Sequence, residues 1–158
     1  MDQLSNIILT VMFSAIAVWL FYGYSKTRNL IYKDKLWSMT RIFFLIAGLF
    51  CILSALVYTS ALDWLRLAAM LLCVIAFFLV RDGIGEDGFG VMGRFYPFEK
   101  VRAYDYGDYK KDQFKVFFIP EGDDTPVSVA LLNSQKDEIL AFLKSKIGKK
   151  YTRMKKKG

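Results

Sequence analysis

The sequence predicts an α-helical membrane protein with three transmembrane helices, followed by a small α+β cytosolic domain that ends in one amphipathic helix. Three observations predict it. The hydrophobic fraction of 54% is too high for a chain of 158 residues with a fully solvated surface. That excess sits in residues 7–80, whereas 28 of the 37 charged residues follow Val80. From Ile84 onward the apolar runs become short and are separated by glycine, aspartate and proline, the punctuation of strands and turns.

A helix rises about 1.5 Å per residue and the hydrocarbon core is about 30 Å thick, so a span needs roughly 20 mostly apolar residues. Residues 7–24 carry no charge and end in Trp19, Phe21, Tyr22 and Tyr24, aromatic residues of the kind that settle at headgroup level. Residues 42–59 are equally uncharged. Residues 65–80 hold only Arg66, which is expected to snorkel outward beside Trp64. In lipid every backbone polar group must be bonded within the segment, so these runs are helices rather than strands. The first run lacks the basic start of a signal peptide and reads as a retained anchor.

Orientation follows from the short connections. Residues 25–41 hold Lys26, Arg28, Lys33, Lys35 and Arg41 against Asp34 alone, while residues 1–6 and 60–64 hold no lysine or arginine. The positive-inside rule places the first connection in the cytosol, and three spans then put the amino terminus outside and everything after Arg81 inside. The expected organisation is a transmembrane domain over residues 1–80, a cytosolic domain over 81–148 and a basic tail over 149–158 at the cell membrane. The short second connection makes helices two and three a hairpin, with Gly48, Ala55, Ala68, Ala69 and Ala76 within packing reach. No carboxylate, lysine or histidine lies mid-span, which argues against an ion or proton pathway.

In the second half, strands are expected over residues 83–86, 89–95, 101–106, 114–120 and 126–131, with turns at 86–88 and 121–124. Pro97 interrupts any ladder through 96–100, so a short turn or helical loop is expected there. Ser134 is the expected N-cap of the last helix, Asp137 and Glu138 suit its first turn, and Gly148 stops it. Ile139, Leu140, Phe142, Leu143 and Ile147 form its apolar stripe.

Several chemistries are excluded or weakened. Cys51 and Cys73 lie in apolar runs without ligand spacing, and the chain has no histidine, which removes the usual general base, metal ligand and nucleophile partner. No enzyme, cofactor or metal is predicted. Residues 83–91 spell GxGxxG and GxGxxGxV, but the dinucleotide fold needs a helix after the glycines and a kinase needs later motifs that this chain lacks. A glycine-rich hairpin is expected instead. Asp105, Asp108 and Asp112 are interleaved with Lys110 and Lys111 and lack the EF-hand pattern.

Two features point to binding. Tyr96, Tyr104, Tyr106 and Tyr109 form an aromatic row suited either to a partner surface or to one half-exposed sheet face. From residue 144 onward there are Lys144, Lys146, Lys149, Lys150, Arg153, Lys155, Lys156 and Lys157 and no acid, a polybasic tail suited to an anionic inner leaflet. Nucleic acid is the weaker partner for such a run, because no stacking or base-reading module accompanies it.

The order of parts, together with Gly-Phe-Gly-Val-Met-Gly-Arg-Phe-Tyr-Pro-Phe-Glu-Lys-Val at residues 88–101, resembles small uncharacterised bacterial membrane proteins with a pleckstrin-homology-like domain, including the YobD-like type. The resemblance implies an antiparallel sheet or barrel of seven strands with a capping helix, and residues 104–115 as part of a longer hairpin. It carries over no catalytic residue and implies binding or scaffolding. The expected function is a membrane-anchored interaction or scaffold module at the bacterial inner leaflet, with membrane lipids and a protein partner or membrane complex as its contacts and a homo-oligomer as a compatible form. The alternative is an accessory subunit that meets its partner through the transmembrane helices.

Overall fold

The computed structural model describes residues 3–153. The chain divides into two compact units, one built from the residues up to 25 and from 36–80, the other from 26–35 and the residues from 81 onward. The expected boundary at residue 81 is therefore incomplete, because a stretch of the first interhelical connection belongs to the second unit.

The first unit holds α1 (Gln3–Thr27), α2 (Met39–Ser54, prolonged by a 3-10 turn Ala55–Val57) and α3 (Ala61–Leu79). All three are long and apolar enough to cross a membrane. Each start is chemically marked on the two later helices. The Ser38 side chain accepts from the Arg41 amide, and Ser60 with Asp63 forms a reciprocal capping box. On α1 the buried residues are Asn6, Thr10, Ala17, Leu20, Gly23 and Thr27, recurring at helical spacing, while Leu4, Ile8, Val11 and Val18 face outward. The inward stripe is small or polar and the outward face is oily, the reverse of a water-soluble helix. Gly48 packs so closely on α3 that a Cβ there would lie 3.3 Å from Val74, and Ala69 and Ala76 are buried, but Ala68 faces outward. Arg41 is buried and donates to the Leu36 and Val80 carbonyls at 3.3 and 3.1 Å, so the end of α3 has a charged partner for a carbonyl its own helix leaves open.

The second unit has two antiparallel sheets. The first is β1 (Tyr32–Lys33), β2 (Gly83–Ile84), β3 (Gly88–Val91) and β4 (Arg94–Pro97), in that spatial order; the second is β5 (Val101–Lys110), β6 (Gln113–Pro120) and β7 (Val127–Leu132). After β7 come a 3-10 turn, Asn133–Gln135, and α4 (Lys136–Ile147). Seven strands replace the five expected from local pattern, for two reasons. The strand β1 comes from the connection between α1 and α2. The run 89–95 is a hairpin rather than one strand, because Met92 and Gly93 take φ of 49° and 77° and reverse the chain. The expected helical loop after Pro97 is a 3-10 turn, Phe98–Lys100, and 104–115 does lie in one long hairpin. Ser134 does not cap α4: it sits inside the preceding 3-10 turn, whose Asn133 is held by the Lys111 and Asp112 carbonyls.

Alternation on β6 buries Phe114, Val116 and Phe118 against Val129 and Leu131 of β7. Ile84, Phe89 and Tyr32 come from the first sheet, and Ile139, Leu143 and Ile147 from α4, to complete one core. Phe89 stacks on both Phe118 and Tyr96, with ring centroids 4.0 and 5.0 Å away, which joins the two sheets through aromatic contact.

Candidate functional site

The four tyrosines of the predicted row do not form one surface. Tyr96 lies on β4 against Phe89, whereas Tyr104, Tyr106 and Tyr109 lie on β5. Tyr104 is buried, Tyr106 is exposed, and the exposed Tyr109 carries Lys115 Nζ 3.8 Å from its ring centre. The bulge between Val101 and Ala103 shifts the alternation, so Tyr104 and Tyr106 pair with Phe118 and Val116 on the side that α4 covers.

A groove of about 300 Å³ opens there, lined by Tyr104, Tyr106, Leu140, Lys144, Gly148 and Tyr151. Tyr151 was not anticipated. It follows the 3-10 turn after α4, forms a parallel bridge to Tyr104 and rings with both Tyr104 and Tyr106 at 5.5 and 5.7 Å, while the Thr152 amide donates to the Tyr104 carbonyl. The edge of β5 thus already accepts a strand-like segment. Burial pushes the Tyr104 hydroxyl above its usual pKa, and its tyrosine neighbours add to this. Tyr151 is raised as well, by desolvation first and then by the Asp105 carboxylate. The groove is therefore a set of phenols beside one ammonium, able to hydrogen-bond and stack.

The basic residues divide. Lys144, Lys149 and Arg153 are exposed, but Lys146 lies 3.7 Å from Glu86, and Lys150 donates to the Phe98 and Glu99 carbonyls at 2.9 and 3.0 Å. Lys150 is thus part of the fold. Lys155, Lys156 and Lys157 lie outside the described residues.

The glycine fingerprint has a structural explanation. It spans β2, a turn and β3, with no helix after it, so it lacks the phosphate-facing helix start of a dinucleotide site. A Cβ at Gly83 would fall 2.2 Å from the Tyr32 carbonyl, and one at Gly88 2.2 Å from that of Tyr96: the strands approach too closely for side chains. The three aspartates are likewise dispersed. Asp105 is buried, Asp108 meets Lys136 at 2.7 Å, and Asp112 meets Lys35 at 2.8 Å, which lowers its pKa. Among the described residues no acid, cysteine or histidine cluster has the makings of a metal site.

The helical unit holds a polar cluster of its own. Arg66 does not snorkel; it is 8% exposed, bonded to Asn6 Oδ1, 3.5 Å from Asp63, and 5.2 Å over the Tyr58 ring. Asn6 Nδ2 donates to Asp63 at 2.8 Å. These groups line a cavity of about 510 Å³ at the end of the bundle where α1 begins. The interior dielectric strengthens such contacts, which explains why the charge turns inward.

Fold and site together define a helix-anchored sheet domain with an aromatic groove. Residues 80–148 match a family described as "Domain of unknown function (DUF5673)", so the sheet unit from the end of α3 through α4 is similar to that family. No curated protein and no solved structure matches the chain.

Proposed function

We propose that this chain is a membrane-anchored interaction module of the bacterial inner membrane, whose pleckstrin-homology-like domain lies in the cytosol and holds a protein partner in the groove between β5 and α4. The observation that carries the proposal is the composition of the sheet unit. The most basic interhelical connection supplies β1, so the positive-inside preference of residues 25–41 acts on the domain itself as well as on a loop. Antiparallel sheets of four and three strands with a carboxyl-terminal helix support the pleckstrin-homology-like assignment. The groove supports binding rather than catalysis: its tyrosines are amphipathic, two-torsion side chains of the type enriched at contact surfaces, and Lys144 favours an acidic or carboxylate-bearing segment.

An accessory-subunit role, with contact through the helices, is the second reading. The cavity beside Asn6, Asp63 and Arg66 favours it, since a partner helix or loop could complete that polar cluster.

Photo-crosslinking separates the two. A benzophenone amino acid in place of Tyr106 is expected to capture a discrete protein in cells, while the same group in place of the outward-facing Phe50 captures none. Adducts at Phe50 alone would overturn the groove reading in favour of the helices.

A further inference from the structure

The sheet unit has two distinguishable ends. At one end the chain leaves the sheet unit after Lys35 and returns to it before Asp82, and that end carries the β3–β4 and β5–β6 turns. Asp82 lies three residues beyond Leu79, the last residue of α3, and its carboxylate accepts from the Met92 amide at 2.7 Å. The β3–β4 turn is thus bonded to the residue at which the chain passes from α3 into the sheet unit. Lys35 lies four residues before α2 and meets Asp112 in the β5–β6 turn at 2.8 Å. Gly90 passes so near Thr27, the last residue of α1, that a Cβ would come 2.8 Å from its methyl group. The three points at which the chain passes between the two units therefore all lie at one end of the sheet unit. The opposite end, an eight-residue strand away along β6, or about 25 Å, carries Pro120, Glu121 and the Glu86 turn that Lys146 meets.

The turn residues at the tethered end are unusual for water. Two-residue hairpin turns with positive φ at both positions ordinarily carry Asn-Gly, because asparagine tolerates that backbone and solvates well. Here the first position is Met92, at φ 49° and 70% exposed, followed by Gly93 and the exposed Arg94. The β5–β6 turn presents Tyr109, Lys110 and Lys111, all exposed, while its acids Asp108 and Asp112 are each paired with a lysine. One tip offers an apolar side chain beside a guanidinium, the other an aromatic ring beside ammonium groups, the side-chain types that bilayer interfaces favour.

We propose that the Met92–Arg94 and Tyr109–Lys111 turns form a rim that rests on the bilayer, Met92 and Tyr109 entering the headgroup layer and Arg94, Lys110 and Lys111 meeting lipid phosphates. The rim rests on the reading that α1 to α3 cross a membrane, and is independent of which leaflet it faces. It places lipid contact at the end of the domain opposite Lys150 and leaves the groove open to a partner.

The test uses the full chain with Cys51→Ala and Cys73→Ala, reconstituted in phosphatidylcholine–phosphatidylglycerol vesicles containing lipid with a nitroxide near the top of its acyl chain. An environment-sensitive dye is placed at Arg94→Cys, Lys111→Cys, Glu121→Cys or, as a span control, Met12→Cys. Quenching at 94 and 111 is expected to exceed that at 121 several-fold. Adding Met92→Asn, which suits the turn, should reduce quenching at 94 without lowering the thermal midpoint. Strong quenching at 12 with 94 and 111 no different from 121, or quenching at 94 that ignores Met92→Asn, overturns the rim alone. No quenching at 12 overturns the bilayer reading together with the rim.

Discussion

The helical unit and the sheet unit solve opposite problems with the same residue types. In the sheet unit the fully buried side chains include Phe89, Phe114, Phe118, Ile84 and Leu131, and among the described residues charge other than that of Asp105 lies at or near the surface. In the helical unit Leu4, Val18, Leu49, Phe50 and Leu56 face outward, while Asn6, Thr10, Arg41 and Arg66 are buried. The difference teaches where stability comes from in each. Water drives the aromatic core of the sheets together; the helices keep their oily side chains outward instead, and what holds them to one another is close packing at Gly48 and hydrogen bonds at Asn6.

That contrast can be broken most sharply by one pair of truncations. Phe118→Ala should destabilise the sheet unit by about 4 kcal/mol, since a large buried ring leaves a cavity between the two sheets. Leu49→Ala removes apolar surface from the outward face of α2 and should change thermal unfolding in detergent very little. Equal effects would mean that the outward face of α2 is covered by protein.

A somewhat smaller effect tests the shared strand. Tyr32 is buried, stacks edge-on with Phe142 at 5.6 Å and donates to Glu138 at 2.9 Å. Tyr32→Ala should cost about 3 kcal/mol. A fragment beginning at Arg81 should be correspondingly unstable, and recover when residues 26–35 are joined to it through a flexible linker. Vesicle-binding experiments on such a fragment alone would examine an incomplete domain.

Within the helical unit, Asn6→Leu deletes the bonds to Asp63 and Arg66 and should cost about 1 kcal/mol by unfolding in mixed micelles. The smallest effect is a pH dependence. Tyr32, Tyr104 and Tyr151 all have raised pKa values, through burial first in each case. Folded-state values above the unfolded value near 10 mean that their contribution is complete below pH 10 and is lost as pH climbs through the folded values. Stability of the sheet unit should thus fall in strong alkali, and Tyr104→Phe should flatten that fall.

Much of this architecture was legible because its signals are local. Uncharged runs announced the helices, alternation through Phe114, Val116 and Phe118 announced β6, and the stripe Ile139–Leu143–Ile147 announced α4. What escaped depends on distant partners or on a broken local rule. The strand β1 is two residues inside a basic loop and becomes a strand only because Ile84 and Gly83 lie beside it. Arg66 looked like an interfacial arginine because its partner Asn6 is on another helix. The turn at Met92 was hidden because methionine is not a turn residue, and that same mismatch is what singles it out for the bilayer. Of the site, the tyrosines were visible as a type but not as a groove, since Tyr151 closes it through a single parallel bridge.

Hydrogen exchange of the full chain in lipid nanodiscs tests the shared strand most directly. The Ile31 and Asp34 amides donate to the Ile84 and Asp82 carbonyls at 2.9 and 2.8 Å. They should exchange as slowly as β2 and β3, and far more slowly than the Thr59 amide between α2 and α3. Exchange at Ile31 and Asp34 as fast as in that second connection would show that the first connection is a free loop and that the sheet domain does not include it.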